Sequence, residues 1–266
     1  MKKAIFQFLI FLCLFFGTWF LLSRIDWVGL LRIKAITTAA SDKLGTTIWE
    51  TISQTEPELL SPVITESLDS MLLPVLAVNN FGRKDKLKIH ILRNKEINAF
   101  ALPGNHLVIY TGLIEDCCNE EEFLGVVCHE LAHIQRNHVM KKLVKDVGLS
   151  LVMSVSTGSG GGEVAQRLAR LLSSTAYDRK MEREADLASV DYLMKAGIDP
   201  TPFAGFLYRM SSAEKYIPDQ FFRISTHPAS KERAVNLIVY IKKQSHKMYT
   251  RLDDHLWNRF RASCKL

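Results

Sequence analysis

Two histidines and a glutamate lie close together near the middle of the chain, at a spacing that suits metal chemistry. The sequence there reads His129-Glu130-Leu131-Ala132-His133. Residues four apart on an α-helix differ by about 40° in direction, so both imidazoles can face one ion while the glutamate lies beside them. Two imidazoles and a carboxylate bind zinc and leave a fourth position for water. This segment therefore predicts a zinc site with a general base, and the alternative is a helix with incidental histidines.

A third protein ligand must come from another part of the chain. A longer zinc pattern places it six residues after the second histidine, but a valine stands there, so we interpret His138 as a residue behind the ligands or on the surface. Glu182 is the predicted third ligand. Asp186, on the same helix face, is predicted to fix the ring of His129 through its far nitrogen. Glu184 is expected to face solvent, and the alternative for the whole acidic segment is a solvated helix face.

The helices that must carry these residues are indicated by caps and breaks. Asn119 is followed three residues later by Glu122 and then by an apolar run, which is a capping box that predicts a helix to about Lys145. A second long helix is expected over 163–195, and a shorter one over 202–213. The predicted metal site lies between the two long helices.

Strand-like segments upstream predict a small antiparallel sheet. Residues 87–91 alternate apolar and polar side chains, and two further segments, 97–102 and 106–110, flank a Pro-Gly-Asn turn. We interpret the middle strand as one wall of a cleft that pairs with an extended peptide, and the alternative is an ordinary core strand. The residues assigned to substrate binding are Asn98, Ala99, Phe100 and Ala101.

A later histidine is a second candidate for catalysis. His227 precedes Pro228, and a residue before proline favours an extended conformation. Its imidazole therefore lies on a loop from which it could reach a developing oxyanion. The alternative is a histidine on a surface loop.

The N-terminus contains an uncharged run from Ala4 to Leu22, rich in Phe, Leu and Ile, after Lys2 and Lys3. At about 1.5 Å per residue its length is close to the hydrocarbon thickness of a bilayer. This run predicts a retained transmembrane helix that contacts lipid, and the alternatives are a cleaved signal peptide and a buried helix. Basic residues on both sides give only weak support for a cytoplasmic amino end.

The formal net charge of +6 over 266 residues is concentrated towards the C-terminus. We interpret the basic tail as a solvated helical end or as a contact with anionic lipid, and since the sequence contains no nucleic-acid-binding motif, nucleic acid is not an expected partner. The predicted divisions are an anchor at 1–23, a helical segment at 24–75, a metallopeptidase domain at 76–242 and a tail at 243–266.

Taken together, the motifs resemble those of one known family. The His-Glu-x-x-His segment is followed about fifty residues later by Glu-x-x-Ala-Asp, with Asn-Ala-Phe-Ala-Leu-Pro-Gly upstream and Thr-His-Pro downstream. This combination, across roughly residues 75–240, is similar to that of the zinc metallopeptidases HtpX and the CAAX prenyl proteases. With one N-terminal hydrophobic segment, the layout is closest to the small bacterial envelope members of that family.

The resemblance implies a gluzincin fold, which is a mainly helical α+β zincin-type metallopeptidase domain, here with a small antiparallel sheet and one transmembrane helix. It implies one Zn²⁺ per chain held by His129, His133 and Glu182. Glu130 is the implied general base, and His227 is the implied stabiliser of the transition state.

The function expected on this resemblance is that of a membrane-anchored zinc metalloendopeptidase that hydrolyses misfolded or damaged envelope proteins. Its catalytic domain is expected on the periplasmic side of a bacterial inner membrane. The alternative is a membrane-tethered chaperone or assembly factor with a latent or structural zinc site. A catalytic base has no purpose in a purely structural site, so Glu130 favours the enzyme.

Overall fold

The fold is described from a computed structural model of the chain. The residues described are 2–24, 38–79, 81, 87–213, 227, 231–244, 249, 252 and 254–265. The chain forms two compact units, Met1–Thr37 and Thr38–Leu266. The candidate site residues all lie in the second unit.

The first unit contains one helix, α1 (Lys2–Arg24), over the apolar run of the sequence. Several of its large side chains are exposed, among them Phe11 and Trp19. Across the described part of the chain, no helix is long and apolar enough to cross a membrane. The transmembrane helix predicted for residues 1–23 is therefore not confirmed.

The second unit is mainly helical, with three strands near its beginning. Its elements, in chain order, are α2 (Thr38–Ser53), α3 (Pro62–Val78), β1 (Lys88–Leu92), β2 (Ala99–Leu102), β3 (His106–Tyr110), α4 (Thr111–Asp116), α5 (Glu120–Gln135), α6 (His138–Val147), α7 (Leu149–Thr157), α8 (Gly162–Ser174), α9 (Arg179–Lys195), α10 (Thr201–Ala213), α11 (Lys231–Lys243) and α12 (Asp254–Ser263). Helix α5 is central and packs against α9, α10 and β2.

The described strands form a mixed sheet in the order β1-β3-β2. The hairpin formed by β2 and β3 is antiparallel, as predicted, and both Gly104 and Asn105 have positive φ in its turn. The prediction of an all-antiparallel sheet is wrong, because β1 pairs in parallel with β3. The chain reverses once between β1 and β2 and again between β2 and β3, so the first and third strands run in the same direction.

Both long helices predicted from the sequence are interrupted. The first ends at Gln135, because Asn137 adopts the left-handed conformation (φ 54°) that asparagine tolerates better than most residues. The second is two helices, one ending at Ser174 and one beginning at Arg179, where Asp178 provides the N-cap. The predictions missed these breaks because neither contains the glycine or proline that commonly marks a helix end.

The basic C-terminal segment contributes to the core. In α12, Trp257 and Phe260 are buried and both contact the ring of Phe123 from α5. The helix packs against α3. Its charged residues occupy other positions than the buried aromatic residues. This part of the tail is therefore an amphipathic helix that packs into the core, and not only the solvated end expected from its charge.

A chain of four polar side chains crosses β1 and β3. The Lys88 ammonium lies 3.1 Å from Nε2 of His106, whose Nδ1 lies 3.0 Å from Nε2 of His90. The Nδ1 atom of His90 lies 2.8 Å from a carboxylate oxygen of Glu58, and Trp49 of α2 stacks on the same ring. An ammonium only donates, so each imidazole accepts at Nε2 and donates at Nδ1 along the chain. These contacts join α2 and the Glu58 segment to the sheet.

Burial keeps both imidazoles of this chain neutral. Burial, reinforced by Lys88 and His90, lowers the pKa of His106 from 6.5 to about 3. Burial also lowers the pKa of His90, against the opposing effect of Glu58. Protonation of either ring replaces an acceptor with a donor and breaks the chain of hydrogen bonds.

We therefore predict that His106 makes the protein less stable as the pH falls. The unfolded chain binds a proton at this residue below about pH 6.5 and the folded chain binds it only near pH 3, so stability is lost as the pH falls through that window. Urea unfolding midpoints at about pH 7 and about pH 5 measure the effect. His106→Gln should show a smaller decrease than wild type, whereas His255→Gln, at an exposed histidine of α12, should retain the wild-type decrease. Equal decreases in all three proteins would contradict this assignment.

Candidate metal centre

The start of α5 is fixed by a polar network, which places its histidines. The Asn119 side chain accepts a hydrogen bond from the backbone N–H of Glu122 at 2.9 Å, as the capping box predicts. The Glu122 carboxylate accepts from the backbone N–H of Cys118 and from both terminal nitrogens of Arg209 on α10. This network holds the N-terminal turn of α5 against α10.

Small residues allow the neighbouring helices to approach α5 closely. A Cβ atom at Gly125 would lie 2.4 Å from the Cβ of Phe203, so only glycine permits this contact with α10. On the side that faces α9, Ala132 packs with Ala185 and Ala188. The predicted role of Ala185, to let the second helix approach the first, agrees with this packing.

The three predicted ligands converge on one point. The Nε2 atoms of His129 and His133 are 3.2 Å apart. One carboxylate oxygen of Glu182 lies 3.6 Å from Nε2 of His129 and the other lies 3.5 Å from Nε2 of His133. All three side chains are buried. His227 joins them, and one ligand atom from each of the four residues lies within 4.8 Å of the others.

A carboxylate and an arginine lie behind these ligands. The Nδ1 atom of His129 is 3.1 Å from a carboxylate oxygen of Asp186, which is the contact predicted from the sequence. Arg233 of α11 donates two hydrogen bonds to Asp186, at 2.8 and 2.7 Å, and pairs with Glu182 at 2.7 Å. Sequence reasoning missed Arg233. The only signal was its position six residues after His227.

The ionisable groups of the site shift one another's pKa. Burial opposes charge on His129, yet Asp186 and Glu182 raise its pKa. Burial opposes ionisation of Glu182, but His227 and Arg233 hold its pKa well below the usual value. The pKa of Asp186 is lowered to about 2, since Arg233 outweighs its burial. Burial lowers the pKa of His133 to about 3, which keeps it neutral, as metal ligation requires.

Glu130 and His227 lie on the open side of the ligand cluster. Burial opposes charge on His227, yet Glu130 and Glu182 raise its pKa to about 10. Its Nε2 atom is 3.1 Å from Oε1 of Glu130, and its Nδ1 atom is 2.7 Å from Glu182. Glu130 is 1% exposed, and its Oε2 atom has no hydrogen-bond partner among the described residues. A buried carboxylate oxygen without a partner, next to converging imidazole and carboxylate ligands, fits a divalent cation such as zinc.

A small cavity of about 40 Å³ opens beside these residues, between α5, α10 and the start of β2. Asn98 and Ala99 line it as predicted, whereas Phe100 and Ala101 are buried outside its lining. The apolar part of the lining consists of Ile97, Ala99, Leu113, Val126, Phe203, Phe206, Leu207 and Met210. The substrate-binding segment predicted from the sequence is thus divided between the cavity and the core.

Comparison with known proteins identifies relatives that are named as proteases. LoiP, a metalloprotease of Escherichia coli, is 27% identical over 184 residues, which cover 67% of this chain and 72% of that protein. The mitochondrial metalloendopeptidase OMA1 of Schizosaccharomyces pombe is 30% identical over 166 residues, which cover 61% and 49% of the two chains. The beta-barrel assembly-enhancing protease of Escherichia coli is 24% identical over 189 residues, which cover 66% and 39%.

The matched region includes the site. The chain spans about half the length of the OMA1 relative and 39% of the assembly-enhancing protease. Residues 64–239 match the sequence model of Peptidase family M48, and this range contains β1 to β3, α5, α9 and every candidate ligand. The chain therefore belongs to peptidase family M48.

Proposed function

We propose that the protein is a zinc-dependent endopeptidase. The observation that carries this proposal is the convergence of His129, His133 and Glu182 beside the buried carboxylate of Glu130. A structural zinc site needs no base, so a buried carboxylate beside the candidate ligands favours a catalytic site. The metalloendopeptidase and metalloprotease names of the relatives support the same reaction.

Each residue has a role that follows from its position. His129, His133 and Glu182 would hold one Zn²⁺, which supplies Lewis acidity when bound. Glu130 takes a proton from the attacking water and returns it to the leaving amine. His227, adjacent to Glu130, donates a hydrogen bond to the developing oxyanion.

The sheet offers a place for the substrate backbone. Among the described strands β2 is an edge strand, since it pairs with β3 on one side only. Asn98 and Ala99 lie where this edge meets the cavity, and the Asn98 amide donates to the backbone of Ser173. An extended peptide that adds to this edge would be held mainly by backbone hydrogen bonds, which favours broad sequence selectivity.

Replacing Glu130 by glutamine should abolish peptide hydrolysis while leaving the fold intact. The amide cannot accept the proton, so casein cleavage should fall by at least about 100-fold, whereas zinc content should stay near one per chain. Glu163→Gln, at an exposed residue of α8, is the matched control and should cleave as wild type does. Undiminished cleavage by the Glu130 variant would exclude this mechanism. If the wild-type protein suppressed aggregation but cleaved no casein, the membrane-tethered chaperone would be favoured instead.

The cavity also indicates which side chain the enzyme prefers. Its walls are apolar apart from Asn98 and the site residues, and the Arg233 guanidinium is already paired with Asp186 and Glu182. A carboxylate entering the cavity would be repelled by Glu130. We propose that the cavity binds an apolar side chain next to the scissile bond.

Narrowing the cavity should change this preference. Matched peptides with Leu or Ala at the selective position should differ in kcat/KM by about 10- to 100-fold in favour of Leu. Val126→Phe, which fills the cavity from α5, should reduce that ratio, and Val235→Phe, at an exposed valine of α11, should leave it unchanged. Because each variant is judged by the ratio of its kcat/KM values for the two peptides, differences in the amount of folded enzyme cancel. Equal cleavage of both peptides would refute the preference without affecting the proposed reaction.

We propose that the N-terminal segment attaches the protein to a membrane, with the catalytic domain on the periplasmic side of a bacterial inner membrane. The uncharged run from Ala4 to Leu22 and the exposed aromatic side chains of α1 support this attachment. Misfolded or damaged envelope proteins are the proposed substrates, by analogy with a relative named for enhancing β-barrel assembly.

Charges within α1 should release the protein from membranes. The full-length chain should sediment with membranes at high salt, because burial of apolar side chains is not screened. Phe11→Lys combined with Phe15→Lys should move it to the soluble fraction, and the corresponding leucine substitutions should not. Protease added to spheroplasts should digest the catalytic domain if it lies on the periplasmic side of the inner membrane. A wild-type protein found in the soluble fraction, or one protected in spheroplasts, would contradict the corresponding part of the proposal.

A further inference from the structure

His138 lies against the second histidine ligand. The two Nδ1 atoms of His138 and His133 are 3.1 Å apart, and the imidazole of His138 is fully buried. On its other side, Nε2 of His138 lies 3.3 Å from a carboxylate oxygen of Glu184, whose side chain is 36% exposed. The sequence placed His138 out of register with the metal and Glu184 in solvent, but the structure connects both to the metal centre.

The helix break at Asn137 makes this contact. On an uninterrupted helix, residues five apart differ by about 140° in direction, so His138 would point away from His133. The left-handed conformation of Asn137 ends α5 and begins α6, which turns the His138 ring back towards α5.

The hydrogen-bond roles follow from the atoms that meet. Nε2 of His133 faces Glu182 and His129, so as a ligand atom it carries no proton and Nδ1 carries one. Nδ1 of His138 must then accept a hydrogen bond from the Nδ1–H group of His133. This leaves Nε2 of His138 to donate to Glu184. The three residues form one directional relay from ligand to carboxylate.

The relay parallels the support of the first ligand. Asp186 lies directly against Nδ1 of His129, at 3.1 Å, whereas Glu184 contacts His133 through an intervening imidazole. Tyr177 packs on the His133 ring, with centroids 4.1 Å apart, and limits its rotation from a different side. Both histidine ligands thus have a carboxylate that fixes the tautomer and ring orientation.

We propose that His138 and Glu184 are positioning residues that hold His133 in the tautomer and orientation that bind the metal. This inference rests on the proposed zinc site. Outer partners of this kind contribute about 10- to 100-fold to metal affinity. They touch neither the substrate nor the reacting atoms.

Competition of the full-length protein with a chromogenic chelator measures the zinc dissociation constant directly. His138→Phe retains the ring volume but removes the acceptor, so it should weaken zinc binding by about 10- to 100-fold. His138→Gln retains an acceptor oxygen and should restore most of the loss. Glu184→Ala, at a partly exposed side chain, should weaken binding by a smaller factor, and Glu232→Ala, at an exposed residue of α11, should match wild type.

The visible spectrum of the Co²⁺-loaded protein gives a second readout, since a change in His133 orientation shifts its ligand-field bands. Wild-type zinc affinity and an unshifted cobalt spectrum in both His138→Phe and Glu184→Ala would overturn the proposal. If His138→Phe fails to fold, Glu184→Ala alone decides. A wild-type protein without zinc affinity would instead refute the metal site, and the relay with it.

Discussion

The structure depends on placing three carboxylates in one dry region. Glu130, Glu182 and Asp186 are all buried, and ionised groups are costly to bury without compensating charge. Arg233 compensates part of this charge, since it pairs with Glu182 and Asp186. Burial opposes charge on His227, but Glu130 and Glu182 raise its pKa to about 10, so it compensates a further part. The proposed divalent cation at the two histidines and Glu182 would compensate the rest. The Oε2 atom of Glu130 has no hydrogen-bond partner among the described residues.

The surrounding elements serve to hold this arrangement together. Alanine positions on α5 and α9 bring these two helices close enough for side chains of both to meet at the candidate metal site. The polar network of Asn119, Glu122 and Arg209 fixes where α5 begins. The break at Asn137 then fixes where it ends. The same helix also lines the cavity, so metal position and substrate position are set by one rigid element.

Local spacing predicted more of the site than of the fold. The pair of histidines four residues apart, and the acidic pair Glu182 and Asp186, are properties of single helices, and the structure brings these residues together as expected. Arg233 was not predicted, and the sequence left His138 either behind the ligands or on the surface, because each position depends on a tertiary contact. The helix breaks lie at Asn137 and Asp178, in segments that contain neither glycine nor proline. The parallel pairing of β1 likewise follows from the path of the chain and not from any local pattern.

The central claim is that one cation is bound where His129, His133 and Glu182 meet. Anomalous diffraction measured at the zinc absorption edge, on crystals of the full-length protein grown with stoichiometric zinc, tests it most directly. The account predicts a single strong peak per chain at about 2.0–2.2 Å from Nε2 of both histidines and from a carboxylate oxygen of Glu182. A peak at other residues, or a zinc-bound structure in which Glu182 points away from the histidines, would contradict it.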